Sequence, residues 1–145
     1  MARLIPEDKL AILTIAQEAL AEPFEGKLAV AEVIRNRMKQ KYMSDGTVEG
    51  TVLRAWQFSG WNNDDPVRIK AMRWDDEMPA IKECIKAWFD AKQGSNTVNG
   101  ALLYYNESIV KTPKWARPEH ATEVARVGAH TFFLPKKPDV SNSVV

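Results

Sequence analysis

Apolar residues crowd the first helical stretch of the chain. Leu10, Ile12, Leu13, Ile15, Ala16, Ala19 and Leu20, set at about 100° per residue, cover more than half of a helix circumference. The strip left over is narrow and holds Ala11, Thr14, Glu18 and Glu22. Pro6 in the first turn, with Glu7 and Asp8 complementing the N-terminal dipole, predicts the start of this helix. Pro23 predicts its end, because proline disfavours helical geometry at the preceding Glu22. After Gly26 the helical period resumes from Lys27 to Lys39 through Val30, Val33, Ile34 and Met38. A short helix is predicted at Thr51–Gln57, a Gly/Asn/Asp/Pro-marked loop at 58–66, and another helix near Val67–Trp74. Pro79–Gln93 reads as an amphipathic helix with Ile81, Ile85, Trp88 and Phe89 on one face and Gly94 as its stop.

Beyond Gly94 the period changes. Ala101–Tyr105 and His130–Leu134 are short aromatic and aliphatic runs bounded by loop residues, the pattern of strands. Pro113–Pro118, between them, is too proline-bounded for a long element, and Lys136–Val145 is polar without an apolar period. The prediction is a mainly helical α+β single domain over residues 1–135, with a small antiparallel β element near its C-terminus. A flexible polar tail occupies 136–145.

Composition narrows the function classes. At 145 residues and 45% hydrophobic the chain can bury one real core. A formal net charge of +1 gives no electrostatic footprint for nucleic acid or a membrane surface. Cys84 is the single cysteine, which excludes an intramolecular disulfide, and its apolar neighbours suggest packing. His120 and His130 are the only histidines, so no Cys/His metal cluster is expected, and no cofactor. The N-terminus has no signal-peptide pattern and no segment is apolar enough to span a bilayer. The expectation is a soluble monomer made in the cytoplasm, which would need release or delivery to act outside a membrane.

Glu18 is the chief candidate for chemistry. A carboxylate on the open strip of a largely buried helix either lines a cleft or is an ordinary surface charge. In a cleft, burial would raise its pKa and suit it to general acid work. Arg37 falls within the apolar face of the second helix, where a guanidinium requires partners. Glu22, across a tight connection, is the expected partner in a structural ion pair. The loop Gln57-Phe58-Ser59-Gly60-Trp61-Asn62 sets amide and hydroxyl donors beside an indole. That is either a sugar-binding wall or a loop pinned to the core by Phe58 and Trp61.

The order of these residues resembles a known family. Glu18, Glu22-Pro23, Gly26, Val30-Ala31 and Asn36-Arg37, followed by Gln57-Phe58-Ser59, Thr97, Gly100-Ala101, Tyr104-Tyr105-Asn106, Pro113, Trp115-Ala116, Gly128, His130 and Phe132, resemble the SleB-type cell wall hydrolases, a group that includes spore-cortex-lytic enzymes and related bacterial and phage proteins. The resemblance implies a lysozyme-like fold and cleavage of the peptidoglycan glycan strand, with Glu18 as the catalytic glutamate. It departs from the family pattern at Leu20-Ala21, where Arg-Gly is usual, and at Asn96, where Asp is usual.

Taken with residue polarity, the resemblance groups Gln57, Ser59, Tyr105, Asn106 and His130 across a groove from Glu18, with Trp115 at its edge. His130 could equally serve a structural hydrogen bond. Two-carboxylate glycosidases hold their groups about 5–5.5 Å or about 6.5–9.5 Å apart across the scissile bond. Glu18 and Glu22, one helical turn apart, would instead share one wall. A lone Glu18 favours a lytic transglycosylase, in which the muramic 6-hydroxyl attacks intramolecularly. A hydrolytic muramidase would need Asp64, Asp65 or Glu107 on the far wall. A catalytically silent glycan-binding module and an interface protein built on the five tryptophans are the other classes. Phage endolysin, virion component and a domain of a larger exported protein all fit the delivery requirement.

Overall fold

Small and branched apolar residues let three helices meet closely, and the computed structural model describes this arrangement for residues 6–54, 58, 75 and 77–136. Helix α1 (Pro6–Ala19) packs Ala11, Ile12, Ile15, Ala16 and Ala19 into the core. Helix α2 (Phe24–Gln40) contributes Val30, Ala31 and Ile34. A short helix α3 (Val48–Val52) closes one end, and α4 (Pro79–Lys92) lays Ile81, Cys84, Ala87, Trp88 and Ala91 against both long helices. The spacing of those five residues, in steps of 3, 3, 1 and 3, is that of a single buried helix face, and Pro79 sits in the first turn, where no N–H is needed. Burial pushes the Cys84 thiol up to about 12, so it packs as a neutral side chain.

Buried polar groups in the helical layer have partners. Asp8 accepts from Trp88 Nε1 at 2.7 Å and from Lys92 Nζ at 3.0 Å. Lys27, 2% exposed, pairs with Glu83 at 2.9 Å and donates to the Glu22 carbonyl. Glu32, 1% exposed, accepts from Ser95 Oγ (2.7 Å), Thr97 Oγ1 (2.9 Å) and the Val98 N–H (3.0 Å). The turn is completed by Asn96, whose Oδ1 accepts from the Gly100 N–H at 2.7 Å. An amide oxygen is sufficient for that bond.

The C-terminal part is a three-stranded antiparallel sheet in the order β1-β3-β2, formed by β1 (Leu103–Asn106), β2 (Ala121–Val127) and β3 (His130–Pro135). Tyr104 pairs with Phe132 and Asn106 with His130, so these four side chains share the sheet face that meets the helices. Phe132 packs there with Ala29 and Val33. The other face carries Phe133, with Leu103, Tyr105 and Trp115 packed around it.

Several boundaries differ from those expected. Helix α2 begins at Phe24, directly after Pro23, and α3 lies upstream of its predicted span because Thr47 caps it by accepting from the Gly50 N–H at 2.9 Å. Strand β2 had no counterpart in the hydrophobic pattern. Ala11 and Thr14 are fully buried, so the narrow polar strip of α1 is open only near Glu18. The predicted 67–74 helix and, of the predicted 136–145 tail, residues 137–145 lie outside the described residues.

Glu32→Ala is expected to destabilise the protein by about 3 kcal/mol, since it strips a charged acceptor from three donors and leaves a buried N–H unpaired. Urea unfolding midpoints at unchanged m-value would show it.

Candidate active site

A groove of about 600 Å³ opens between the end of α1, the turn that follows it, β1 and the start of β3. Its walls include Gln17, Glu18 and Glu22 on one side and Tyr104, Asn106 and His130 on the other, with Ile109 and Val110 at the lip. The strand side is positioned from α2. Asn36 Nδ2 donates to the Ala101 carbonyl at 3.0 Å and Arg37 Nε to the Leu102 carbonyl at 2.7 Å. These bonds hold the chain entering β1, and strand alternation then turns Tyr104 and Asn106 into the groove.

Glu18 is half-buried, and Tyr104 donates its hydroxyl proton to Glu18 Oε1. Desolvation raises the Glu18 pKa, while the Tyr104 hydrogen bond and the Arg37 charge oppose the rise. The Tyr104 phenol is held well above its usual range, first by burial and then by the Glu18 charge, so it stays a donor. Arg37, 4% exposed, lies over the Phe58 ring at 5.2 Å. Burial lowers its pKa, and the negative potential of Tyr104, Tyr42 and Glu18 works against that.

Glu22 occupies the opposite end of the groove wall. Its Oε1 lies 3.5 Å from the Ala129 N–H nitrogen and 3.5 Å from His130 Nδ1, long approaches at the outer limit of hydrogen bonding. Gly128, at φ +57°, leaves room for that carboxylate; a Cβ there would stand 2.6 Å from Glu22 Oε1. Burial lowers the His130 pKa more than the Glu22 carboxylate raises it, so the ring is neutral at neutral pH. The His130 ring meets Tyr104 edge-on at 5.3 Å between centroids.

The expected Glu22–Arg37 ion pair is not among the pairs of the described residues. Helix α1 stops at Ala19, the Glu22 N–H turns back onto the Ala19 carbonyl at 3.0 Å, and the side chain is carried toward the β2–β3 turn. Arg37 instead serves Leu102 and the Tyr104–Glu18 pair. Glu18 and Glu22 are therefore not successive positions of one helix face, although both border the groove.

Tyr105 reaches the groove margin, but its ring stacks on Phe133 at 5.7 Å on the far sheet face, edge-on to Trp115 at 5.8 Å. Trp115 belongs to that cluster and is not among the groove-lining residues. Asn106 lines the groove while its Oδ1 accepts from Ser108 N–H at 2.9 Å and Ser108 Oγ at 2.5 Å. Glu107 borders a separate hollow of about 350 Å³ and pairs with Arg126 at 3.1 Å. Gln57, Ser59, Asp64 and Asp65 lie outside the described residues. Sequence reasoning missed Tyr104 as the residue on Glu18; its pairing with Phe132 across β1 and β3 is the signal that would have found it. Gln17, Ile109 and Val110 were also missed. Among the described residues no three His, Cys, Asp or Glu side chains converge to hold a metal, and no helix is long and apolar enough to cross a membrane.

Known proteins are similar to this chain in sequence and in fold. A sequence model of the family described as Cell Wall Hydrolase matches residues 21–133, a segment that begins C-terminal to Glu18. The spore cortex-lytic enzyme of Bacillus subtilis (strain 168) is 27% identical over 116 residues, 79% of this chain and 33% of the relative. That of Oceanobacillus iheyensis is 28% identical over 116 residues, 79% of this chain and 37% of the relative. The chain thus spans about a third of the length of the curated relatives it matches. The catalytic domain of the Bacillus cereus SleB protein superposes with a TM-score of 0.70 at 25% identity, covering 88% of this chain and 89% of that one. The catalytic domain of the germination-specific lytic transglycosylase SleB from Bacillus anthracis gives 0.67 at 23%, covering 92% and 99%.

Tyr104→Phe is expected to raise the Glu18 pKa further, because the lost hydrogen bond favours the ionised carboxylate. A carboxyl ¹³C titration of the two proteins, with Glu18 assigned, tests the sign; an unchanged or lower midpoint contradicts it.

Proposed function

The chain belongs to the cell wall hydrolase family, and from that premise we propose that it cleaves the glycan strand of bacterial peptidoglycan between N-acetylmuramic acid and N-acetylglucosamine. The observation that carries this reading is a desolvated carboxyl group, Glu18, on the wall of an open groove, with Tyr104 bonded to one of its oxygens.

In the proposed reaction Glu18 acts twice, first as acid and then as base. Its raised pKa keeps a proton available, which passes to the glycosidic oxygen as the bond to the muramic anomeric carbon breaks. The carboxylate left behind is supported by the Tyr104 hydroxyl on Oε1 and by the Arg37 charge, interactions that gain strength as negative charge develops. Glu18 then accepts the proton of the muramic 6-hydroxyl as that oxygen closes on the anomeric carbon. No water is consumed, and the product carries a 1,6-anhydro ring.

The lytic transglycosylase route is favoured because no second carboxylate is opposed to Glu18 among the described residues. Glu22 shares its wall, and Glu107 is paired with Arg126 beside another hollow. Asn106 and His130 line the same groove and are assigned to substrate binding, the neutral imidazole offering one donor and one acceptor. Gln57 and Ser59 are retained as substrate contacts on the strength of the family resemblance, and Tyr105 as a margin residue. The protein is inferred to act as a monomer without a metal, after release or delivery to the wall.

Purified sacculi treated with the protein should yield muramic fragments one water lighter than hydrolysed ones, with chelator making no difference. Free reducing muramic ends would replace this reading with hydrolysis. Glu18→Gln should reduce fragment release by at least about 10²-fold. The same substitution should raise the melting temperature at neutral pH. A carboxyl with a raised folded-state pKa contributes its stability fully below the ordinary value of 4.5 and loses it as pH rises through the folded value. The advantage of the variant should therefore close as pH falls below 4.5.

A further inference from the structure

Gln17, one residue before Glu18, lines the same groove, yet its Nε2 and Oε1 are both buried and neither has a hydrogen-bond partner. Buried polar side chains in folded proteins are nearly always satisfied, so an unmet carboxamide calls for a cause. Three buried charges of the helical layer observe the rule: Asp8, Lys27 and Glu32 are all engaged. Beyond the Glu18 and Glu22 carboxylates, the lining of this groove includes Leu20 and Ala21 and, at the lip, Ile109 and Val110, which offer no polar side-chain atom. Ile109 and Val110 are nonetheless 79% and 50% exposed.

We propose that Gln17 is a substrate-positioning residue whose carboxamide binds an acetamido group of the glycan, in a subsite completed by the apolar lip. An acetamido group matches both halves of this wall. Its carbonyl accepts from Nε2, and its methyl packs against Ile109 or Val110. A hydroxyl or an ammonium would leave the apolar lip without an apolar contact. Gln17 has three rotatable side-chain bonds, so the carboxamide turns toward the ligand without moving α1. No protein hydrogen bond is broken when it does so, and the bond to the ligand is gained without that offset.

The assignment rests on the glycan-cleaving reading, and its test separates the two. Co-sedimentation of the Glu18→Gln protein with purified sacculi, before and after chemical de-N-acetylation, measures the acetamido preference without turnover. Adding Gln17→Met should weaken binding to native sacculi by about tenfold, the scale of one hydrogen bond. It should leave binding to de-N-acetylated sacculi unchanged. Gln17→Ala should give the same binding pattern. Gln17→Met should also melt at a temperature equal to or above that of its parent, because an apolar side chain of similar shape replaces an unmet polar one. A preference for native sacculi that survives both substitutions overturns the assignment, and so does a lower melting temperature or a failure of Gln17→Met to fold. If the Glu18→Gln protein does not bind sacculi and the unaltered protein releases no fragments, the glycan-cleaving reading falls, and this assignment with it.

Discussion

The structure depends on a buried clamp between α2 and the chain entering β1. Asn36 and Arg37 take the Ala101 and Leu102 carbonyls as acceptors, joining the helical layer to the sheet at residues 65 positions apart. Burying a guanidinium is unfavourable by several kcal/mol unless its donors are used. The clamp is therefore stable in one geometry, with the strand entry held against the helix. Two residues beyond Leu102, Tyr104 arrives at Glu18. The Arg37 charge also opposes the desolvation that raises the Glu18 pKa, so one side chain sets both the position of the strand and the electrostatics of the groove.

Helices α1, α2 and α4 were legible because each buries one continuous face, which periodicity reports directly. Strand β2 was not. It pairs along only one side, most of its residues are exposed or half-buried, and a register irregularity between Glu123 and Ala125 interrupts its alternation. Glu18 could be singled out because a charge near the end of an apolar helix is conspicuous from sequence alone. Tyr104 and Tyr105 could not be told apart, since two consecutive tyrosines in a strand face opposite ways and only the pairing with β3 says which faces inward. Glu22 was misplaced for a related reason. Extending the α1 wheel past Ala19 assigned it a helical direction, whereas the turn bends it toward Gly128 and His130.

The distribution of satisfied and unmet polar groups separates scaffold from groove. Five buried side-chain atoms lack a hydrogen-bond partner among the described residues, and three of them belong to the groove-lining Gln17 and His130. The other two are Arg35 Nε and Thr131 Oγ1, and Arg35 still places its guanidinium 5.7 Å from the Trp88 ring centre. In the helical layer, by contrast, Asp8, Lys27 and Glu32 are enclosed by donors and acceptors of suitable length. A fold able to satisfy those charges has no general difficulty with buried polarity. Three of its five unmet atoms belong to residues of the groove where the desolvated Glu18 carboxyl also lies. Local inconsistency of this kind lowers the stability of the free protein, and it is tolerated where a ligand supplies the missing interactions. On the proposed reaction the glycan is that ligand: its glycosidic oxygen takes the Glu18 proton, and its acetamido group meets Gln17. The scaffold's stability and the groove's chemistry thus draw on the same clamp, because moving β1 would free Tyr104 from Glu18 and expose the Arg37 guanidinium together.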